Sequence, residues 1–251
     1  MLEFYEKTMD LLAIPMHQIR PYSIEHFEIA AIVVVSAILV AFLFAKTGAS
    51  RAGVIATFSV VLLLFEILKQ CLLTHVRGSY GWSDFPWQLC SIPLYVTLAY
   101  PHMKKGRDTA DVFLMTFGFL GGAAALIVPE SSFYPYLLLT IQSLVWHGIL
   151  LMLSLYLMMS CAKSRSVQAF RPAAVWYLLA AVIAIVINFV TKDISRGASN
   201  MFFLGPNYPH MYILNAIYKA YGWIVESVAM ILATLAAAFV VYFVSGVGKR
   251  K

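Results

Sequence analysis

Long apolar runs recur along the whole chain, and they constrain its fold more than any other feature. Runs of roughly 18 or more apolar residues are long enough to cross the hydrocarbon core of a bilayer as helices. Charged residues make up only 12% of the chain, about half of the fraction found in an ordinary soluble domain. The sequence therefore predicts an all-α, polytopic membrane helix bundle.

Seven transmembrane helices are predicted, with boundaries good to a few residues. They cover residues 27–45, 54–75, 87–102, 110–128, 136–160, 173–191 and 212–244. No polar linker separates them, so we expect one transmembrane domain over 27–246. We expect an N-terminal interfacial segment over 1–26, and a basic cytoplasmic tail over 247–251.

The charges of the loops predict the orientation. The loops "KTGASR", "HMKKGRD" and "AKSRSVQAFR" and the tail "GKRK" are basic, whereas the segment before the first helix is acidic. By the positive-inside rule the basic loops are cytoplasmic, which places the N-terminus outside and the C-terminus inside. The net charge of +6 then reflects topology, and no nucleic-acid partner is expected. The loop "TKDISRGASNMFFLGPNYPH" is long and rich in Gly, Asn and Pro, which is typical of a lid or a re-entrant piece.

This orientation gathers polar residues of several helices in the outer half of the bundle. Each ionisable group within the membrane costs on the order of 2.5–3.5 kcal/mol to insert, so such groups normally face inward and serve a function. We therefore expect a shared polar cavity that opens toward the outer leaflet. Its expected members are His26, Glu66, Lys69, Gln70, Gln88, Cys90, Gln142, His147, Asn188, Asn200 and Glu226.

Structural explanations remain open for these residues. Glu66 and Lys69 are three residues apart and can neutralise one another, or Lys69 can pair with Glu226 instead. A lone His147 can be a buried histidine with satisfied nitrogens, and Cys90 can pack as a small apolar residue. The amides are suited to hydrogen bonds between helices: Gln70, Gln142 and Asn188.

The sequence gives no sign of a metal or a cofactor. It contains no phosphate loop, dinucleotide fingerprint, Cys-x-x-Cys pair or His-Glu-x-x-His motif. His26, His147 and Glu226 could converge on a metal, but nothing in their spacing fixes a geometry. A disulfide between Cys71 and Cys90 also remains open, since an oxidising exterior would permit it.

Motifs along nearly the whole chain resemble one family of membrane proteins. They are "YSIEHF", "LFEILKQ", "FPWQLCSIPLY", "GFLGGAAALIVPE", "LVWHGILLMLSLYLM", "INFVTKDISRGASNMFFLGPN" and "YGWIVESVAMIL". In order and approximate spacing they are similar to the YwaF-type bacterial integral membrane proteins, relatives of the eukaryotic transmembrane protein 164. The resemblance implies a bacterial plasma-membrane protein that acts on a phospholipid or lysophospholipid.

The same resemblance implies a catalytic pair. The eukaryotic relative moves acyl chains between phospholipids and depends on a cysteine and a histidine, which match Cys90 and His147 here. Gln88 stands where family members often carry histidine. The chemistry is reasonable, because a histidine can take the proton of a thiol that is mostly protonated at neutral pH, with a pKa of about 8.5. Gln88, Asn188 or Asn200 could donate hydrogen bonds to an oxyanion.

The predicted function is therefore a lipid acyltransferase or acyl hydrolase with a Cys-His pair. One alternative is a transporter or channel-like protein in which Glu66, Lys69, Glu226 and His147 line a path. That alternative predicts polar residues that continue through the inner half of the bundle, where the sequence offers few. A second alternative is a non-catalytic structural membrane partner, in which the polar cluster only joins helices.

Overall fold

The computed structural model describes residues 2–129, 132–161, 166–207 and 212–246. Regular structure in this part of the chain consists of helices, apart from an isolated β-bridge between Pro15 and Tyr136. The principal helices are α1 Leu2–Leu12, α2 Ile24–Lys46, α3 Arg51–Arg77, α4 Ile92–Ala99, α5 Arg107–Ile127, α6 Leu137–Ser160, α7 Val167–Thr191 and α8 Tyr212–Val244. The all-α fold class is confirmed, and the predicted tail over 247–251 lies outside the described residues.

Six of the helices in the described ranges are long and apolar enough to cross a membrane: α2, α3, α5, α6, α7 and α8. The chain is a multi-pass membrane protein, and lipid surrounds its apolar outer faces. The count of seven spans and the orientation stay predictions.

The predicted helix 87–102 is wrong at its start, because α4 begins only at Ile92. Pro86 disfavours helical backbone in the residue before it, and Pro93 occupies the first turn of α4, where a missing N–H is tolerated. The backbone N–H groups of Ser91 and Ile92 both bond to the carbonyl of Gln88 and close a turn ahead of the helix. The eight residues of α4 extend about 12 Å, far less than the roughly 30 Å of a bilayer core.

Helix α6 lies at the centre of the bundle and contacts α2, α3 and α5. Small residues such as Ala37 and Ala41 in α2 let the helices approach closely. Helix α5 contains a π-helical stretch, Leu114–Gly118. The hydroxyl of Ser154 in α6 lies 2.7 Å from the carbonyl oxygen of Leu114, so α6 provides a donor where the regular bonding of α5 is interrupted.

The N-terminal helix α1 packs across the end of α3. The Tyr5 hydroxyl donates to the carbonyl of Cys71 at 3.1 Å, and Met9 is buried in a cluster with Leu72. The chain then pairs with the start of α6, where Met16 N–H donates to the Pro135 carbonyl at 3.0 Å. An interfacial position of this segment stays a prediction.

Helix α8 is interrupted by Gly222, whose φ of 81° and ψ of 171° lie outside the helical region. These angles suit glycine and strain other residues. The interruption divides α8 into a short first part and a longer second part that runs from residue 223 to 244.

Candidate functional site

Cys90 lies in the turn before α4 and is held by backbone contacts to two other helices. Its carbonyl accepts a hydrogen bond from the indole Nε1 of Trp146 in α6 at 3.0 Å. On the α5 side, a Cβ atom placed on Gly121 would lie 2.9 Å from the Cys90 Cα. This approach is possible only because residue 121 is glycine. The turn that bears the thiol is thereby fixed between α5 and α6.

His147 follows Trp146 in α6 and is 8% exposed. Its Nδ1 lies 2.7 Å from the carbonyl oxygen of Ser143, one turn earlier. A carbonyl accepts only a donor, so this contact assigns the proton of the neutral ring to Nδ1 and leaves Nε2 as the basic nitrogen. A Cβ atom on Gly122 would lie 3.0 Å from the His147 carbonyl oxygen. The adjacent glycines 121 and 122 thus contact the backbones of the two candidate residues.

The charged residues of α3 form their own network. Glu66 Oε2 lies 2.9 Å from Lys69 Nζ, and Glu66 Oε1 accepts from Gln70 Nε2 at 2.7 Å. Gln70 Nε2 also lies 2.7 Å from the carbonyl oxygen of Asp84. In the described residues the ion pair joins Lys69 to Glu66 and not to Glu226, so the first of the two open pairings is the one formed.

The environment of Cys90 keeps its thiol protonated at neutral pH. The thiol lies in the connection between α3 and α4. Burial raises its pKa above the ordinary value, and the nearby Lys69 ammonium lowers the pKa in part. The Glu66 carboxylate raises the pKa further. A base is therefore needed before Cys90 can act as a nucleophile. None of the three cysteines, Cys71, Cys90 and Cys161, forms a disulfide within the described residues.

The amides of Gln88 and Asn188 bind the backbone of the loop that follows α7. Gln88 Nε2 donates to the Asn200 carbonyl at 3.0 Å, and its Oε1 accepts from Phe202 N–H at 2.8 Å. Asn188 Oδ1 accepts from Met201 N–H at 2.7 Å, and its Nδ2 donates to the carbonyl of Met201 at 2.9 Å. The loop folds back against the end of α7 through these contacts. Both amides are thus engaged with loop backbone, and the bonds of Asn188 go to this loop and not to a neighbouring helix.

The remaining predicted cavity residues lie in separate environments. His26 has both ring nitrogens bonded to backbone: Nδ1 accepts from Tyr22 N–H at 3.1 Å, and Nε2 donates to the Leu126 carbonyl at 2.9 Å. Glu226 is 1% exposed and accepts from the hydroxyl of Ser227 at 3.3 Å.

Two amides complete the predicted set. Asn200 Nδ2 lies 3.4 Å from the carbonyl oxygen of Asn207, within the loop after α7. Gln142 is buried in α6 one turn before Trp146, and no hydrogen bond joins its amide to the described part of the chain. Gln142 thus differs from Gln88 and Asn188, whose amides bind loop backbone.

The comparison with protein families explains the pattern of motifs. The profile of the TMEM164 family matches residues 21–243, a range that includes Cys90, Gly121 and His147. The chain belongs to the TMEM164 family. No curated protein and no solved structure matches the chain. The relation predicted from the motifs is confirmed, and its assignment to the YwaF-type bacterial branch stays a prediction.

This TMEM164-family chain also has a polar cluster at the opposite end of α3, which the sequence analysis missed. Arg51 Nη1 donates to Asp111 Oδ2 at 2.6 Å, and the Tyr100 hydroxyl donates to Asp111 Oδ1 at 2.8 Å. Few polar residues were predicted in this half of the bundle, because Asp111 lies near the predicted start of its helix. An acidic residue inside the apolar stretch "ADVFLMTF" was the available signal.

Proposed function

We propose that this TMEM164-family protein is a cysteine-dependent lipid acyltransferase or acyl hydrolase of the bacterial plasma membrane. Cys90 is the nucleophile and His147 is the general base, and the substrate is a phospholipid or lysophospholipid. The observation that carries the proposal is the 3.0 Å hydrogen bond from Trp146 to the Cys90 carbonyl. It ties the turn that bears the thiol to the residue next to His147.

The tautomer of His147 supports its role as base. The Ser143 carbonyl holds the Nδ1 proton, so the lone pair on Nε2 can accept the proton of a thiol. Because burial raises the pKa of the Cys90 thiol, proton transfer to His147 would accompany the attack of sulfur on the substrate. The Lys69 ammonium stabilises the thiolate that forms.

The first half-reaction transfers the acyl group to the enzyme. The Cys90 Sγ–H proton passes to His147 Nε2 as sulfur attacks the carbonyl carbon of the lipid ester. The C–O ester bond then breaks, and the departing glycerol oxygen takes the proton back from the imidazolium. The products are a lysolipid and an acyl thioester on Cys90.

The second half-reaction releases the acyl group. His147 Nε2 takes a proton from the hydroxyl of an acceptor lysolipid, whose oxygen attacks the thioester carbonyl. The C–S bond breaks, and the proton returns to Cys90 Sγ. With water as acceptor the same steps give a fatty acid, so the exclusion of water from the site decides between transferase and hydrolase.

The test is acylation of the purified protein by a phospholipid with a labelled acyl chain. Wild-type protein should acquire label that hydroxylamine removes, as a thioester requires. Cys90→Ala should abolish the label, and His147→Ala should slow acylation by about 10²–10⁴-fold because a general base contributes that much.

Cys71→Ala is the matched control, since Cys71 is also a free, half-buried thiol. It lies near the end of α3 that leads into the connection with Cys90. It should leave acylation at the wild-type rate. Undiminished acylation in Cys90→Ala would refute the proposal. An unlabelled wild-type protein that moves solutes across vesicles would instead support the transport alternative.

A further inference from the structure

A polar depression of about 330 Å³ lies between the starts of α3 and α5. Its walls include Ser50, Arg51, Tyr100, Arg107, Asp108 and Asp111. Arg51 and Glu66 both lie on α3 and are 15 residues apart. The depression is therefore about 22 Å along the helix from the charged network near Cys90. It is a separate place on the molecule.

The buried carboxylate in this depression, Asp111, already has hydrogen-bond partners within the protein. Asp111 is 4% exposed, and its two oxygens accept from Arg51 at 2.6 Å and from the Tyr100 hydroxyl at 2.8 Å. These bonds compensate its charge and hold the Arg51 guanidinium at the wall of the depression. A guanidinium has five N–H donors, so Arg51 retains donors for a second acceptor.

A second guanidinium packs against Tyr100. The Arg107 Cζ atom lies 5.5 Å from the centroid of the Tyr100 ring, and Arg107 Nη2 donates to the Pro101 carbonyl at 3.2 Å. Two arginine side chains in the wall are therefore held in place, Arg51 by Asp111 and Arg107 by Pro101 and the Tyr100 ring. Pre-positioned guanidinium groups favour acceptors with several oxygens, above all phosphate.

The surroundings add to the positive potential. Arg51 and Arg107 are the first residues of α3 and α5, and the positive ends of both helix dipoles therefore face the depression. Lys46 is the last residue of α2, and Lys104 and Lys105 lie in the loop before α5. The one exposed carboxylate of the wall is Asp108, which leaves the neighbourhood basic.

We propose that the depression between α3 and α5 binds a phosphate group through Arg51 and Arg107. The group belongs either to a lipid head group in the leaflet on this side or to a soluble phosphate compound. This site is independent of acyl transfer at Cys90, and it can be tested in protein that carries the Cys90→Ala substitution.

The experiment measures thermal unfolding of the full-length protein in a sugar-based detergent without phosphate. One arm adds inorganic phosphate against chloride at equal ionic strength, and the other adds phosphatidylglycerol against diacylglycerol. A ligand that binds only the folded protein raises the unfolding midpoint in a saturable way. A rise with inorganic phosphate identifies a soluble ligand, and a rise with phosphatidylglycerol alone identifies a lipid head group.

Arg107→Gln should remove the rise, whereas Lys104→Gln, which changes the same charge in the adjoining loop, should keep it. Arg51→Gln leaves Asp111 uncompensated and can impair folding, so Arg51→Gln is combined with Asp111→Asn. The double variant should also lose the rise. No rise in either arm, or an equal rise in wild type and Arg107→Gln, overturns the proposal.

Discussion

Two buried histidines show how local bonding decides what an imidazole can do. His26 accepts from one backbone N–H and donates to one carbonyl, so neither ring nitrogen has capacity left for a substrate. Among the described residues, His147 bonds through Nδ1, which donates to the Ser143 carbonyl. Its Nε2 keeps a lone pair, and for that reason His147 is the better candidate for a general base.

The charge of Lys69 provides a prediction about pH at the same scale. The Lys69 ammonium lowers the pKa of the Cys90 thiol, so Lys69→Met should raise that pKa. At any pH below the thiol pKa, a higher pKa leaves a smaller fraction of thiolate. Alkylation of Cys90 by iodoacetamide should then be slower at pH 8, and its pH profile should move to higher pH. Lys46→Met, at the far end of α2, is the control.

Alkylation as fast in Lys69→Met as in wild type would show that the two groups do not interact. Glu66→Gln should have the opposite effect, because the Glu66 carboxylate raises the thiol pKa. Faster alkylation in that variant would support the same electrostatic explanation.

Helix α5 positions the candidate site through two adjacent small residues. Gly121 faces the backbone of Cys90, and Gly122 faces the carbonyl of His147. The helix reaches this position after its π-helical stretch Leu114–Gly118, which changes the direction in which later residues face. The element acts as a spacer that fixes how closely the turn before α4 and helix α6 approach one another.

Gly121→Ala should therefore disturb Cys90 without touching the thiol itself. The new Cβ atom would meet three backbone atoms within 3.3 Å, and backbone cannot move aside cheaply, so we expect a loss of about 1–3 kcal/mol of stability. The Trp146 bond to the Cys90 carbonyl should lengthen, which tryptophan fluorescence would report. The rate of Cys90 acylation should fall with it.

Gly118→Ala is the matched control on the same helix. Its Cβ atom would meet the Ser154 Oγ at 3.3 Å and the Pro93 side chain at 3.9 Å, which are milder contacts. If both variants lose acylation equally, the effect comes from general disturbance of α5 and not from the contact with Cys90.

The whole molecule is a membrane bundle whose irregular loop after α7 is anchored by side-chain amides. Gln88 and Asn188 come from different parts of the chain and both bind the backbone of residues 200–202. In a bilayer, non-helical backbone is tolerated only where its polar groups are satisfied within the protein. These two side chains form hydrogen bonds with the polar groups of the loop backbone. They also join the turn before α4 to the end of α7.

Asn188→Ala should weaken the assembled fold. Asn188 is fully buried, and its side chain bonds the N–H and carbonyl of Met201 and the carbonyl of Leu204. Its loss leaves these backbone groups without partners, at about 1–3 kcal/mol for each unsatisfied group. We expect a lower unfolding midpoint and faster proteolysis within residues 199–207. Gln168→Ala, which removes an exposed amide from the same helix, should change neither. A stable Asn188→Ala protein would contradict this account of the loop.

The sequence by itself determined the class of protein and the positions of its long helices. The reason is that hydropathy and length are local properties of a segment, and they decide whether it can cross a bilayer. The tertiary structure decided which polar groups meet. Trp146 reaches Cys90 across 56 residues, Gln88 binds a loop more than 110 residues away, and Asp111 lies beside Arg51. Such contacts depend on how helices pack, and the pattern within one helix carries no information about the face that its neighbour presents.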